Sequence, residues 1–133
     1  MSFRGAAGEA PPPRPVQLSP AVTKNIADKL YDKRKIAALE VEQLVKRLAQ
    51  AGHTEAITAL VDLITTNYST SSQVNARKGG LLCLAATAVG LADADPGGEA
   101  TAAAAAELLH RLAPAILASF TDPDARVRCG WLR

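Results

Sequence analysis

"LYDKRKIAALEVEQLV", residues 30–45, decides the fold. Three consecutive cations, Lys33, Arg34 and Lys35, run into a segment whose apolar residues are cleanly spaced. Ala37, Val41, Leu44, Val45 and Leu48 follow the i, i+4, i+7, i+8 pattern of one helical stripe. Gly52 stands just past the end, where a left-handed cap closes a helix. A basic block at a helix start is either a phosphate or nucleic-acid contact, or the recurring hinge of a helical repeat.

The block recurs, which favours the hinge. "DKRKIAAL" around Lys35, "NARKGGLL" around Lys78 and "DARVRCGW" around Arg128 read as versions of one unit. Each follows an amphipathic helix and a short turn, and each opens the next helix. Lys35 and Lys78 are 43 residues apart, and Lys78 and Arg128 are 50 apart. Those intervals lie near the period of about 40–47 residues of HEAT and armadillo arrays. The longer one contains the Gly- and Ala-rich stretch from Asp93 to Ala106.

Outward from these blocks the chain reads as helices. Ser19 is placed to cap a first helix with Pro20 at its first position, and Val22, Ile26 and Leu30 give it one stripe to about Tyr31. Thr54 is placed to cap a third helix with Ile57, Leu60, Val61 and Ile64 buried. "NYSTSSQVN", residues 67–75, is a polar loop, and its Ser69–Ser72 run is a candidate for phosphorylation. A fourth, very apolar helix runs from about Ala76 to Leu91, and "DADPGGEA", residues 93–100, breaks it. A fifth reaches from Ala102 to Phe120, with Leu108, Leu109, Leu112, Ile116 and Leu117 as its apolar face. Pro114 inside it is expected to kink or split it. Asp122-Pro123-Asp124 opens another helix, and no segment alternates as a strand would.

The expected fold is therefore all-α. It is a HEAT/armadillo-like α-solenoid of antiparallel helix pairs, about two and a half repeats over residues 18–133, with an incomplete final repeat from about residue 122. A lone pair cannot bury both of its stripes, so copies stack on a shared core. Small residues at Ala37, Ala38, Gly79, Gly80, Ala85 and Ala86 let neighbouring backbones approach closely, and Asp32 and Asp124 are placed to cap the second helix of a pair. Residues 1–17, "MSFRGAAGEAPPPRPVQ", are a Pro/Gly/Ala-rich disordered tail; their "PPPRP" also suits a polyproline helix for an SH3-type groove.

Composition narrows the function. Apolar residues make up 48% of the chain but aromatics only 4%, so the core is built from Ala, Leu, Val and Ile. A net charge of +2 argues against a nucleic-acid binder. Cys83 and Cys129 lack CxxC or His spacing and read as reduced thiols, partly buried. No apolar run reaches the roughly 18 residues that span a bilayer, and the start has no signal-peptide core; a cytoplasmic protein with peripheral membrane contact is expected. His53 and His110 have no partners at metal spacing, Gly79-Gly80 lacks the rest of a phosphate loop, and Asp93, Asp95 and Glu99 are wrongly spaced for calcium. No enzyme activity, metal or cofactor is expected.

"LSPAVTKNIADKLYDKRKIAALEVEQLV", then "ARKGGLLCLAA" and "FTDPDARVR", resemble the amino-terminal HEAT repeats of the vacuole-morphology scaffold family of PIKfyve-type phosphatidylinositol 3-phosphate 5-kinase complexes. The resemblance covers about residues 18–92 and 107–128. It implies an amino-terminal fragment of a non-catalytic scaffold. Its partners would be the lipid kinase and a Sac-type lipid phosphatase, on endosomal or vacuolar membranes, in the control of phosphatidylinositol 3,5-bisphosphate. Family self-association belongs mainly to a distant carboxy-terminal region. Two departures stand out: residues 93–106 look like an Ala-rich replacement of a shorter connection, and "RVRCGWLR" leaves the pattern. The candidate partner-contact ridge is Lys33, Arg34, Lys35, Arg77, Lys78, Arg126 and Arg128. A generic HEAT adaptor of another complex and a direct anionic-lipid binder are the rival readings.

Overall fold

The computed structural model describes residues 17–94 and 99–128, and every regular element among them is helical. Most of the expected tail, residues 1–16, and the end from Cys129 onward lie outside the described residues. The elements are α1 (Pro20–Ile26), α2 (Tyr31–Gln50), α3 (Thr54–Ile64), a π-helical segment (Thr65–Ser69), α4 (Val74–Ala94), α5 (Glu99–Ser119) and α6 (Ala125–Arg128). Helices α1 and α2 pack together, as do α3 and α4, and α4 and α5. The second helices stack, with α2 packed principally on α4 and α4 touching α6, while α3 meets α5.

Several boundaries differ from those read in the sequence, each for a local reason. Helix α1 ends at Ile26 rather than near Tyr31. The Asp28 carboxylate accepts the Leu30 amide at 2.8 Å, so the chain turns there and Leu30 is left 53% exposed. Helix α2 begins at Tyr31, which puts the basic triplet in its opening turns; Leu30 is its cap residue, and no side chain, Asp32 included, caps it. Thr54 is the first residue of α3, not its cap. The loop expected over 67–75 is shorter, because α3 runs on through the π-helical segment to Ser69. Pro114 does not split α5, which is one helix through Ser119. Ser19 does cap α1, its hydroxyl accepting the Val22 amide, and Gly52 has φ +78°.

The core is aliphatic, as composition requires. Ile26, Val41, Val45, Ile57, Leu60, Ile64, Leu84, Leu108 and Leu112 are essentially inaccessible to solvent. Glycine sets how closely the layers stack. A Cβ on Gly79 would lie 1.7 Å from the Ile26 carbonyl oxygen, and one on Gly90 would lie 2.8 Å from the Glu42 carbonyl oxygen. Helix α4 therefore abuts the end of α1 and the back of α2 at backbone contact, which no larger residue permits. On α5 only part of the expected face is buried. Leu108 and Leu112 enter the core and Ile116 packs on it, but Leu109 and Leu117 are 51% and 64% exposed. The helix has a second apolar stripe on its outer side.

Candidate functional site

Three turns carry the same arrangement. Asp28, Ser71 and Asp122 each stand between the two helices of a pair, and each side chain accepts the backbone amide two residues on. The bonds are Leu30 N–H to Asp28 Oδ1 (2.8 Å), Gln73 N–H to Ser71 Oγ (3.1 Å) and Asp124 N–H to Asp122 Oδ1 (2.8 Å). The carbonyl of that same residue then accepts Nη1 of an arginine six residues on. Arg34 donates to Asp28 O at 2.8 Å, Arg77 to Ser71 O at 3.0 Å, and Arg128 to Asp122 O. Each arginine thereby ties the second helix of its pair back onto the turn that launches it, satisfying a carbonyl the turn would otherwise leave without a partner.

This pattern sets the repeat register at Arg34, Arg77 and Arg128. The sequence alignment on Lys35, Lys78 and Arg128 is one residue off at its first two members. The reason is chemical: a guanidinium presents several donors in a fixed fork, so it can hold a carbonyl and a carboxylate together, whereas a lysine ammonium is a single point charge. Arg77 does both. Beside Ser71 O and Ser72 O, it binds Asp122 of the next repeat, Nε to Oδ2 at 2.8 Å and Nη2 to Oδ1 at 3.1 Å. Burial pushes the Asp122 carboxyl up, but the hydrogen bonds from Arg77 and the Asp124 amide, with the charge of Arg77, outweigh it. The group lies below the ordinary carboxylate range.

The seven ridge residues therefore separate. Arg34 is 4% exposed and lies over the Tyr31 ring, 5.9 Å from its centroid. The Arg77 side chain is largely buried, and Arg128 is held on the turn by its Nη1. Lys33, Lys35 and Arg126 face solvent, and Lys78 is half-buried. Arg126 pairs with Asp124, which also accepts its backbone amide; these hydrogen bonds hold the Asp124 carboxyl at about 2. Asp28 and Asp122 were not picked out as site residues from the sequence, and Ser71 only within the Ser69–Ser72 run. Their signal was the Asp/Ser-to-Arg spacing of six that recurs in all three units.

Two apolar surfaces accompany the ladder. Leu109, Ala113 and Leu117 form the outer stripe of α5, which Phe120 extends just past its end. A cleft of about 570 Å³ is lined by Leu18, Val22, Ile36, Leu39, Leu44 and Arg47, among others. Cys83 is fully buried, which pushes its thiol up to about 12. No group of three or more His, Cys, Asp or Glu able to hold a metal occurs among the described residues, and none of their helices is long and apolar enough to cross a membrane.

Residues 75–130, essentially α4 to α6, match the family described as "Vacuolar 14 Fab1-binding region". The chain is 42% identical over 108 residues to the protein VAC14 homolog of Arabidopsis thaliana, covering 81% of this chain and 13% of that protein. It is 37% identical over 112 residues to the vacuole morphology and inheritance protein 14 of Saccharomyces cerevisiae, covering 84% of this chain and 12% of that protein. The VAC14 homolog of Schizosaccharomyces pombe is 39% identical over 72 residues. The chain thus spans about an eighth of the length of the first two relatives. No solved structure matches.

Proposed function

Residues 75–130 of this chain belong to the Vac14 Fab1-binding family, and on that premise we propose that the chain is a non-catalytic scaffold module that binds a Fab1-type (PIKfyve-type) phosphatidylinositol 3-phosphate 5-kinase. The module is residues 18–133 taken as one run of HEAT-like repeats. The observation that carries the reading is a coincidence of place: the matched residues include the outer stripe of α5 and its end, where Leu109, Leu117 and the following Phe120 are each more than half exposed. Large apolar residues gathered on one exposed helix face mark a protein-contact surface. The kinase is the occupant to which the family description points.

In this reading the scaffold does no chemistry. It raises the effective concentration of the kinase for the membrane and for a Sac-type lipid phosphatase held in the same assembly. The assembly acts peripherally on endosomal and vacuolar membranes and sets the level of phosphatidylinositol 3,5-bisphosphate. Of the basic ridge, the exposed Lys33, Lys35 and Arg126 supplement the apolar stripe; Arg34 and Arg128 hold their own turns, and Arg77 also joins its repeat to the next. Co-purification of the tagged chain from its own cells tests the proposal. Recovery of a FYVE-type lipid kinase supports it, and recovery of chaperones alone, or of an unrelated enzyme complex, overturns it.

A further inference from the structure

A helical array stacks each pair on its neighbours, and a terminal pair normally turns a polar face outward. Helix α2 turns Ala37, Ala38, Val41 and Val45 inward, and α4 is its principal neighbour. Its opposite face carries Ile36, Leu39, Glu40, Gln43 and Arg47, which share one stripe of the helix. Ile36 and Leu39 are 45% and 49% exposed, so the first pair leaves an apolar outer face. They line the cleft of about 570 Å³, to which Leu18, Val22 and Leu44 also contribute. Charge decides what fits there. Glu40 and Arg47 stand about two helical turns apart on the stripe. Both are exposed, and neither side chain has an ion-pair partner among the described residues. A second copy of α2 laid antiparallel across the first, with a twofold axis beside Gln43, sets each Glu40 against Arg47 of the other copy. The same rotation brings Leu39 of each copy to the Leu44 end of the other's cleft. A patch that complements itself under a twofold is what an isologous contact requires. A partner of one charge sign would match only one of the two residues and leave the other desolvated and unpaired.

We propose that the outer face of α1 and α2 is a self-association surface, at which two copies of this chain meet with α2 antiparallel to α2. The contact is separate from the carboxy-terminal self-association that the family resemblance implies, since every residue it uses lies between Leu18 and Arg47. It joins one helix and one cleft rim from each copy, so the dimer is weak and forms by mass action. Helix α5 packs on α3 and α4, away from this contact, and its outer stripe stays open in both copies. The dimer thus offers two such stripes, and what they bind gains avidity without any new contact. The inference is independent of which partner the scaffold holds.

The test is sedimentation equilibrium of the full chain over a concentration series, with two charge-reversal variants. The wild-type chain is expected to show a reversible monomer–dimer equilibrium. Glu40→Arg and Arg47→Glu each set like charges together twice, and each should weaken the dimer at least about tenfold. An equimolar mixture of the two variants restores both pairs in a heterodimer and should associate as the wild type does. Both positions are exposed, so the variants leave the core untouched, and circular dichroism checks their helicity. A photo-cross-linking residue in place of Leu39 should capture a second copy near Leu44, with light and heavy copies mixed to tell one chain from the other. A chain that is monomeric throughout, or a mixture no tighter than its components, overturns the proposal. So does a dimer indifferent to both variants, as one formed through α5 would be, or capture of residues 1–16 of the same chain by the Leu39 probe.

Discussion

Arg77 grips both carboxylate oxygens of Asp122, forty-five residues further on, and with the same guanidinium holds the carbonyls of Ser71 and Ser72. One side chain thus closes its own repeat and joins it to the next. The residues of this pair are 15% and 9% exposed at their side chains, so neither has water to fall back on when its partner is removed.

Arg77→Ala is therefore expected to destabilise the chain by about 3 kcal/mol, the range in which breaking a buried pair leaves an uncompensated charge. Asp122→Asn keeps the turn's shape and should cost less. Urea denaturation of both single variants and the double variant checks this, with a coupling of more than about 1 kcal/mol expected between the two positions.

Acid should loosen the third turn. Asp122 and Asp124 both titrate below the unfolded carboxylate value of about 3.9, so in that window the folded chain binds fewer protons than the unfolded one. Their stabilisation is fully present above about pH 4 and is lost as pH falls through the folded values, that of Asp124 being about 2. Arg126 is exposed and its pair with Asp124 is screened by solvent, so most of the effect belongs to Asp122. The expected result is a flat urea midpoint from pH 7 to 5, a decline below 4, and a shallower decline in Asp122→Asn.

Glycine substitutions should rank by backbone contact rather than by helix propensity. Gly79→Ala forces a methyl into the Ile26 carbonyl and is expected to cost about 3 kcal/mol or more despite the better helix propensity of alanine. Gly52→Ala meets nothing within 4 Å and pays only for its left-handed backbone, about 1 kcal/mol. Thermal melts of the two variants distinguish the cases.

The Cys83 thiol, buried and raised to about 12, should resist alkylation in the native state at pH 8 and react once the chain is unfolded. Iodoacetamide labelling across a urea series, read by peptide mass at Cys83, should follow the unfolding curve. Full labelling without denaturant contradicts the burial.

The helical repeat was legible because its signals are local. Periodic Val, Leu and Ile residues mark α2 and α3, Ser19-Pro20 marks a start, and Gly52 marks a stop. What escaped was set by tertiary contact. Spacing alone put Leu109 and Leu117 on one face with Leu108 and Leu112, but α5 has two apolar stripes and packing on α3 and α4 selects one. Pro114 was expected to break the helix, yet it falls on the exposed side of a segment held by Leu108 and Leu112 on the other. The basic ridge was visible, but the division of labour within it was not. Burial of Arg34 and exposure of Lys33 and Lys35 follow from a carbonyl at Asp28 that only the folded turn presents.

The most direct measurement is capture of the lipid kinase by the full chain and by its Leu109→Asp/Leu117→Asp variant, with helical circular dichroism recorded for both. The account predicts that the wild-type chain retains the kinase and that the variant, equally helical, loses at least about tenfold in affinity, as expected when centrally placed apolar contacts are replaced by charge. Undiminished capture by a folded variant would contradict the outer stripe of α5 as the kinase-binding face.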